Sequence, residues 1–260
     1  MMYQNIIEEK KQNKKVGILS NVFSVKNLVM YVISFMLSMV SLGGDFSIFS
    51  ISILGASFAS DVPALGIIVA SLIGTGIKFG IGGLTEYFIT AMLLTIILTI
   101  IKPIYNVEEK NEKIKIGIHV FASILIVQVV KLFISNFTIY DMLASFTISV
   151  IGFAFYKIFV NSTNVLQDFW IKKAYTIEEL IGASLMLAIS LGALGDINIL
   201  GFGIRNILSI LIVMVLGWKN GILVGTTTGV TIGVTMRSNY WDRTYNDSSL
   251  CHIWNDGRSI

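Results

Sequence analysis

Charge is what this sequence has least of. Only 13% of its 260 residues are Asp, Glu, Lys or Arg, against about 25% in a soluble domain, which excludes a chain wetted on all sides. A single cysteine, Cys251, excludes an intrachain disulfide framework. There are two histidines. Cys251-His252 has no second pair at zinc spacing, and His119 stands alone in an apolar run, where packing explains it better than ligation. The glycines at 74, 76, 80, 82 and 83 lack the Gly-Lys-Ser/Thr ending of a phosphate loop. No nucleophile stands beside a base, so an enzyme working inside the membrane has no candidate machinery.

Hydrocarbon fills the rest, with 54% apolar residues and a mean hydropathy of +0.78. A helix needs about 20 apolar residues to cross a bilayer core of about 30 Å, and the chain carries apolar runs at about 27–44, 46–60, 63–83, 84–101, 116–135, 139–157, 177–195, 199–217 and 219–235. The fold class expected is therefore all-α, a polytopic transmembrane bundle of about nine spans. The second run is short enough to be re-entrant or interfacial. The basic arm 1–26 lacks a short apolar segment followed by a small-residue cleavage site, so the first span is expected to be retained. Residues 27–235 read as one membrane domain and 236–260 as an atypical polar tail.

Loop charge sets the orientation, because lysine and arginine accumulate on the cytoplasmic side of short loops. Lys10, Lys11, Lys14, Lys15 and Lys26 put the N-terminus inside. Lys102, Lys110, Lys113 and Lys115 mark the next inside loop, Lys157, Lys172 and Lys173 another, and Lys219 a last one. The intervening turns near 43–46, 82–86, 135–138 and 195–199 hold no lysine or arginine. Pro63 fits the first turn of the third span, and Thr176 with Glu179 spells a capping box at the start of the seventh. The net charge of +3 sits in these loops, with the lipid bilayer as the expected partner and no sign of nucleic-acid binding.

Lys78, Lys131 and Arg205 fall within or near apolar runs, in the outer halves of their helices, with Asp45, Glu86, Asp141 and Asp196 near the same surface. Intramembrane charges are costly and are usually paired or turned toward a cavity. They are expected here to snorkel to the headgroups, with some salt bridges between helices. The competing reading is a small transporter or substrate-binding membrane subunit with Lys78, Lys131 and Arg205 around an outer cavity. Gly217, Gly221, Gly225, Gly229 and Gly233 recur at every fourth position, a small-residue stripe that lets helix backbones approach closely in a membrane.

The stretch 175–234, "YTIEELIGASLMLAISLGALGDINILGFGIRNILSILIVMVLGWKNGILVGTTTGVTIGV", resembles the membrane region of stage II sporulation protein E of spore-forming clostridia. "IEELIGAS", "LGD", "IRN" and "GWKNGILVG" carry the resemblance in successive helices, and it extends over roughly residues 20–235. It implies about ten membrane helices, a cytoplasmic regulatory region and a manganese-dependent serine/threonine phosphatase of the PPM type. That phosphatase acts on an anti-sigma factor antagonist and so activates the forespore sigma factor. It also implies a place at the polar sporulation septum, self-association and contact with division-septum proteins. None of that family's metal-binding aspartates has a counterpart here, so this chain is expected to be noncatalytic and to hold no cofactor; manganese belongs to the missing phosphatase domain.

The tail departs from this pattern. Residues 1–235 hold 15 lysines and one arginine, whereas 236–260 hold Arg237, Arg243 and Arg258 and no lysine. That change predicts a frameshifted or otherwise disrupted frame after Thr235, with an ordinary exposed tail as the alternative. An odd ninth span would also leave the tail outside, where the family needs one more crossing.

Overall fold

A computed structural model describes residues 24–41, 47–60, 62–101, 109–134, 138–168, 176–195, 198–199, 202–222, 225–230 and 232–233. The apolar runs become helices in the expected order: α1 Val25–Ser38, α2 Ile48–Phe58, α3 Ala64–Ile101, α4 Glu109–Ile134, α5 Ile139–Asp168, α6 Ile177–Gly192 and α7 Ile204–Asn220, with residues 225–230 helical beyond them. Between α6 and α7, β1 (Asn198–Ile199) and β2 (Phe202–Gly203) form a two-rung antiparallel ladder, Asn198 opposite Gly203 and Ile199 opposite Phe202. The chain divides into two compact units, Met1–Tyr175 and Thr176–Ile260.

In the first unit, α2 is the centre. Residues 48–57 are all buried, which removes the interfacial reading of this run. At about 1.5 Å per residue its 11 residues reach little more than half of the hydrocarbon core. It packs against α1, α3, α4 and α5. A side chain on Gly55 would strike Val120 and Tyr156, and one on Gly152 would strike Ile124. Close approach of the backbones is the attraction available here, because lipid gives apolar side chains no reason to prefer each other. Ser52 Oγ donates to the Gly152 carbonyl at 2.9 Å, and Phe49 meets Phe155 edge to face at 4.8 Å. The outer surface is apolar, with Leu65, Ile81, Phe133 and Ile134 each more than 70% exposed, the arrangement expected where the solvent is lipid.

Helix α3 is a helical hairpin. Gly80 has φ 65° and ψ −155°, a region that is essentially glycine's alone. A Cβ on Gly76 would lie 2.9 Å from Leu84. Such neighbours would be a dozen ångströms or more apart on a straight helix at about 1.5 Å per residue. The 38-residue element would measure about 57 Å if straight; folded at Gly80 its arms, 64–79 and 81–101, are about 24 and 32 Å. The sequence placed this turn at 82–86, and Pro63 lies one residue before the helix instead of inside its first turn.

Further bounds differ from the sequence reading. Helix α1 stops at Ser38 instead of 44. Helix α4 begins at Glu109 instead of 116 and α5 runs on to Asp168 instead of stopping at 157. Both outgrow the apolar runs at the same end, where the Tyr156 hydroxyl donates to the Lys113 carbonyl at 2.6 Å. In the second unit, α7 starts five residues later than the 199–217 run, because the ladder at 198–203 occupies the interval.

The second unit repeats the hairpin. Gly221 has φ 92° and ψ 175°, and the segment after it folds back on α7. A Cβ on Gly225 would lie 2.9 Å from the Gly217 Cα, and one on Gly229 would lie 3.6 Å from Val213. Ile232 packs with Ala188 and Leu191 of α6 and with Leu208, Ile212 and Val213 of α7. The same hexapeptide pattern stands at both turns, Gly76-Ile-Lys-Phe-Gly80-Ile81 and Gly217-Trp-Lys-Asn-Gly221-Ile222. Residues four before and four after the turning glycine lie about one helical turn from it on either arm, so they meet face to face. The capping box is formed as expected: Thr176 Oγ1 accepts from the Glu179 N–H at 3.3 Å and Glu179 Oε2 from the Thr176 N–H at 3.0 Å.

Candidate functional site

Glu86 lies on the second arm of α3, six residues past the turn, with its side chain 9% exposed. Opposite it, α4 presents Gln128 and Lys131, three residues apart and therefore on one helix face. Gln128 Nε2 donates to Glu86 Oε1 at 2.7 Å, and Lys131 Nζ to Glu86 Oε2 at 2.6 Å. Both carboxylate oxygens are thus satisfied and the pair is neutral, which lets a buried carboxylate persist in an apolar bundle. The lysine side chain is 55% exposed. Its ammonium has three N–H donors, and among the described residues Glu86 is its only partner.

A groove of about 460 Å³ runs beside this triad. Gly82, Thr85, Glu86, Ile89 and Leu93 line it from α3, and Ile126, Val127, Val130, Lys131 and Ile134 from α4. Glu86 and Lys131 are its only ionisable lining residues, and both lie near one end. No reactive pair faces the groove, so the arrangement supports binding and helix pairing.

Among the described residues of the same unit, the other polar candidates do not line it. Lys78 is exposed beside the Gly80 turn, with no ion pair among the described residues. Asp141 belongs to the start of α5, where Thr138 Oγ1 donates to Asp141 Oδ2 at 2.5 Å and accepts the Asp141 N–H at 3.2 Å, a helix cap. Arg205 stands in the first turn of α7, in the other compact unit, and its buried Nε finds no hydrogen-bond partner. Asp45, Asp196, Cys251 and His252 lie outside the described residues. Among those described, no three His, Cys, Asp or Glu side chains come together as a metal site.

Gln128 was absent from the sequence candidates, although its i, i+3 spacing to Lys131 was the available signal. The glycine stripe is corrected in form. It does not run along one helix, since Gly217 closes α7, Gly221 makes the turn, and Gly225 and Gly229 pack back on α7. Gly233 meets nothing within 4 Å.

Comparison with known proteins gives one family. The family model described as "SpoIIE, N-terminal domain" matches residues 2–242, from the basic arm to seven residues past Thr235. No curated protein and no solved structure matches.

Proposed function

The chain belongs to the SpoIIE N-terminal domain family, and from that premise we propose that it is the noncatalytic membrane region of a sporulation protein phosphatase. It anchors that protein in the bacterial cell membrane, brings it to the polar division septum and assembles it by self-association, while the chemistry belongs to a PPM-type phosphatase portion outside this sequence. The carrying observation is the family match over residues 2–242, and the predominantly helical, outwardly apolar architecture supports it. Lysine distribution supports an N-terminus in the cytoplasm, with alternate turns facing out.

We read the arginine-only tail as the product of a disrupted frame, from its switch of basic residue; the family match through residue 242 favours a break near that residue over one directly after Thr235. Sequencing the gene across codons 230–245 tests this. If no alternative frame downstream encodes a further apolar helix and a phosphatase, the reading is wrong.

The function is tested by fusing an intact PPM phosphatase and a fluorescent protein behind residue 235 and imaging sporulating cells. Concentration of the signal at the polar septum is the expected result. An even distribution around the cell overturns the localisation role. Solute uptake that depends on Arg205 would restore the transporter reading; Lys78, one of the three residues that reading needs, does not line the groove.

A further inference from the structure

We propose that the groove between the second arm of α3 and α4 holds one glycerophospholipid of the surrounding bilayer, its phosphate on Lys131 Nζ and an acyl chain along Ile89, Leu93, Ile126 and Val130. The volume, about 460 Å³, lies in the range of about 300–1,000 Å³ typical of sites for small organic ligands, which are mostly apolar with a few placed polar groups.

Polarity along the groove follows that of a membrane lipid. Lys131 and Glu86 stand near the end marked by the Gly80 turn and by Ile134, where α4 stops. Leu93 and Ile126 mark the other end, about 12–20 Å from those markers at 1.5 Å per residue, and the lining there is purely aliphatic. Headgroup chemistry is therefore offered at the helix ends and hydrocarbon chemistry toward the middle of the bundle.

Charge decides which headgroup fits. The Glu86 carboxylate is buried, each of its oxygens already accepts a hydrogen bond, and its charge is met by Lys131. Lys131, 55% exposed, keeps donors beyond the one given to Glu86. The open polar group is thus a cationic donor, and its complement is an anionic phosphate. The aliphatic rest of the groove complements a chain, and its flanks are the lipid-facing Ile89, Val130 and Ile134, 55%, 52% and 84% exposed. An amphipathic anion delivered from the bilayer satisfies both ends; inorganic phosphate satisfies only one.

The full chain, purified in mild detergent and exposed to phosphatidylglycerol or to diacylglycerol of the same acyl chains, tests this by native mass spectrometry of the retained lipid. One phosphatidylglycerol is expected per chain, retained over diacylglycerol by up to about fivefold, the attraction of one lysine for an anionic lipid being the ceiling for a lysine already paired with Glu86. Glu86→Gln/Lys131→Gln removes the charge without leaving an unpaired carboxylate and loses that preference. Val130→Trp fills the groove, keeps both charges and loses retention of either lipid. Equal retention of the two lipids overturns the proposal, as does retention unchanged in both variants. It is equally overturned if inorganic phosphate displaces the phospholipid, or if the groove variants dissociate a dimer instead of releasing lipid.

Discussion

Replacing Gly80 with alanine isolates the energetic basis of the first hairpin. At φ 65° and ψ −155° a side chain costs about 1–3 kcal/mol. A Cβ there meets nothing within 4 Å, so crowding adds nothing and the loss is purely that of the backbone. Alanine also favours a continuous helix over glycine by about 1 kcal/mol. The balance between bent and straight arms then moves by about 2–4 kcal/mol, or about 30-fold to several hundred-fold. Gly82 is the internal control. It is equally unobstructed but has no positive φ, so Gly82→Ala is expected to be neutral or to stabilise by up to about 1 kcal/mol. Spin labels at Val69→Cys and Met92→Cys, in a Cys251→Ser background, read the geometry, since both positions are exposed. Packed arms stand about 8–10 Å apart between axes, whereas a straight helix would separate these 23 positions by about 35 Å. The wild type is expected at the short distance. Gly80→Ala is expected to lower resistance to denaturation, or to add a long-distance population, relative to Gly82→Ala. A long distance in the wild type, or identical behaviour of the two alanine variants, refutes the reasoning.

In the second hairpin, Gly225→Ala puts a methyl group 2.9 Å from the Gly217 Cα and should cost about 1–3 kcal/mol through overpacking, whereas Gly233→Ala, in open space, should cost nothing; a denaturation series on the two separates them. In a double-mutant cycle on Glu86→Gln and Lys131→Gln, a coupling of about 0.6–1.7 kcal/mol is expected, the scale of interhelical polar pairs in membranes, and Lys131→Gln alone should destabilise more than the pair of changes together because it strands a buried carboxylate. Thr176→Ala removes one side of the capping box and should cost about 1 kcal/mol of α6 stability, measurable as faster amide exchange at Glu178 and Glu179.

Hydropathy carried the order of the helical segments because each must bury or expose hydrocarbon along its whole length, and that property is summed over many residues. It placed the first hairpin poorly because the turn lies between Phe79 and Ile81; an average over apolar residues does not register a break made by one φ angle. The legible signal was local, the Gly-x-Lys-x-Gly pattern shared with residues 217–221. Similarly, the grouping of Lys78, Lys131 and Arg205 rested on depth alone. Depth fixes a position along the membrane normal and leaves position in the plane open, so it could not tell that Lys78 would stay off the groove that Lys131 lines. Gln128 was missed because a neutral amide disturbs neither charge nor hydropathy, although its hydrogen bond helps hold Glu86.

The polar side chains of the first unit explain how such a bundle holds its register. Most hydroxyls bond back to their own helix, as Thr75 does to the Ser71 carbonyl and Thr90 to that of Glu86, which hides them from lipid without joining anything. The few that reach between elements form a closed ring. Ser34 to Ser71 ties α1 to α3, and Glu86 to Gln128 and Lys131 ties α3 to α4. Tyr156 to the Lys113 carbonyl ties α5 to α4, Ser52 to the Gly152 carbonyl ties α2 to α5, and Ser47, just before α2, returns to the Leu37 carbonyl of α1. Each neighbour is therefore fixed by a directional bond where lipid supplies no hydrophobic drive between helices. A ring of this kind resists sliding of any one helix, because sliding would break bonds on both sides of it. Those cross-links suit a part that holds other domains in place better than one that must rock open around a solute. In that ring Lys131 is a link whose side chain is still half-exposed and whose ammonium has donors beyond the one given to Glu86, so a bilayer phosphate could engage it without any helix having to move.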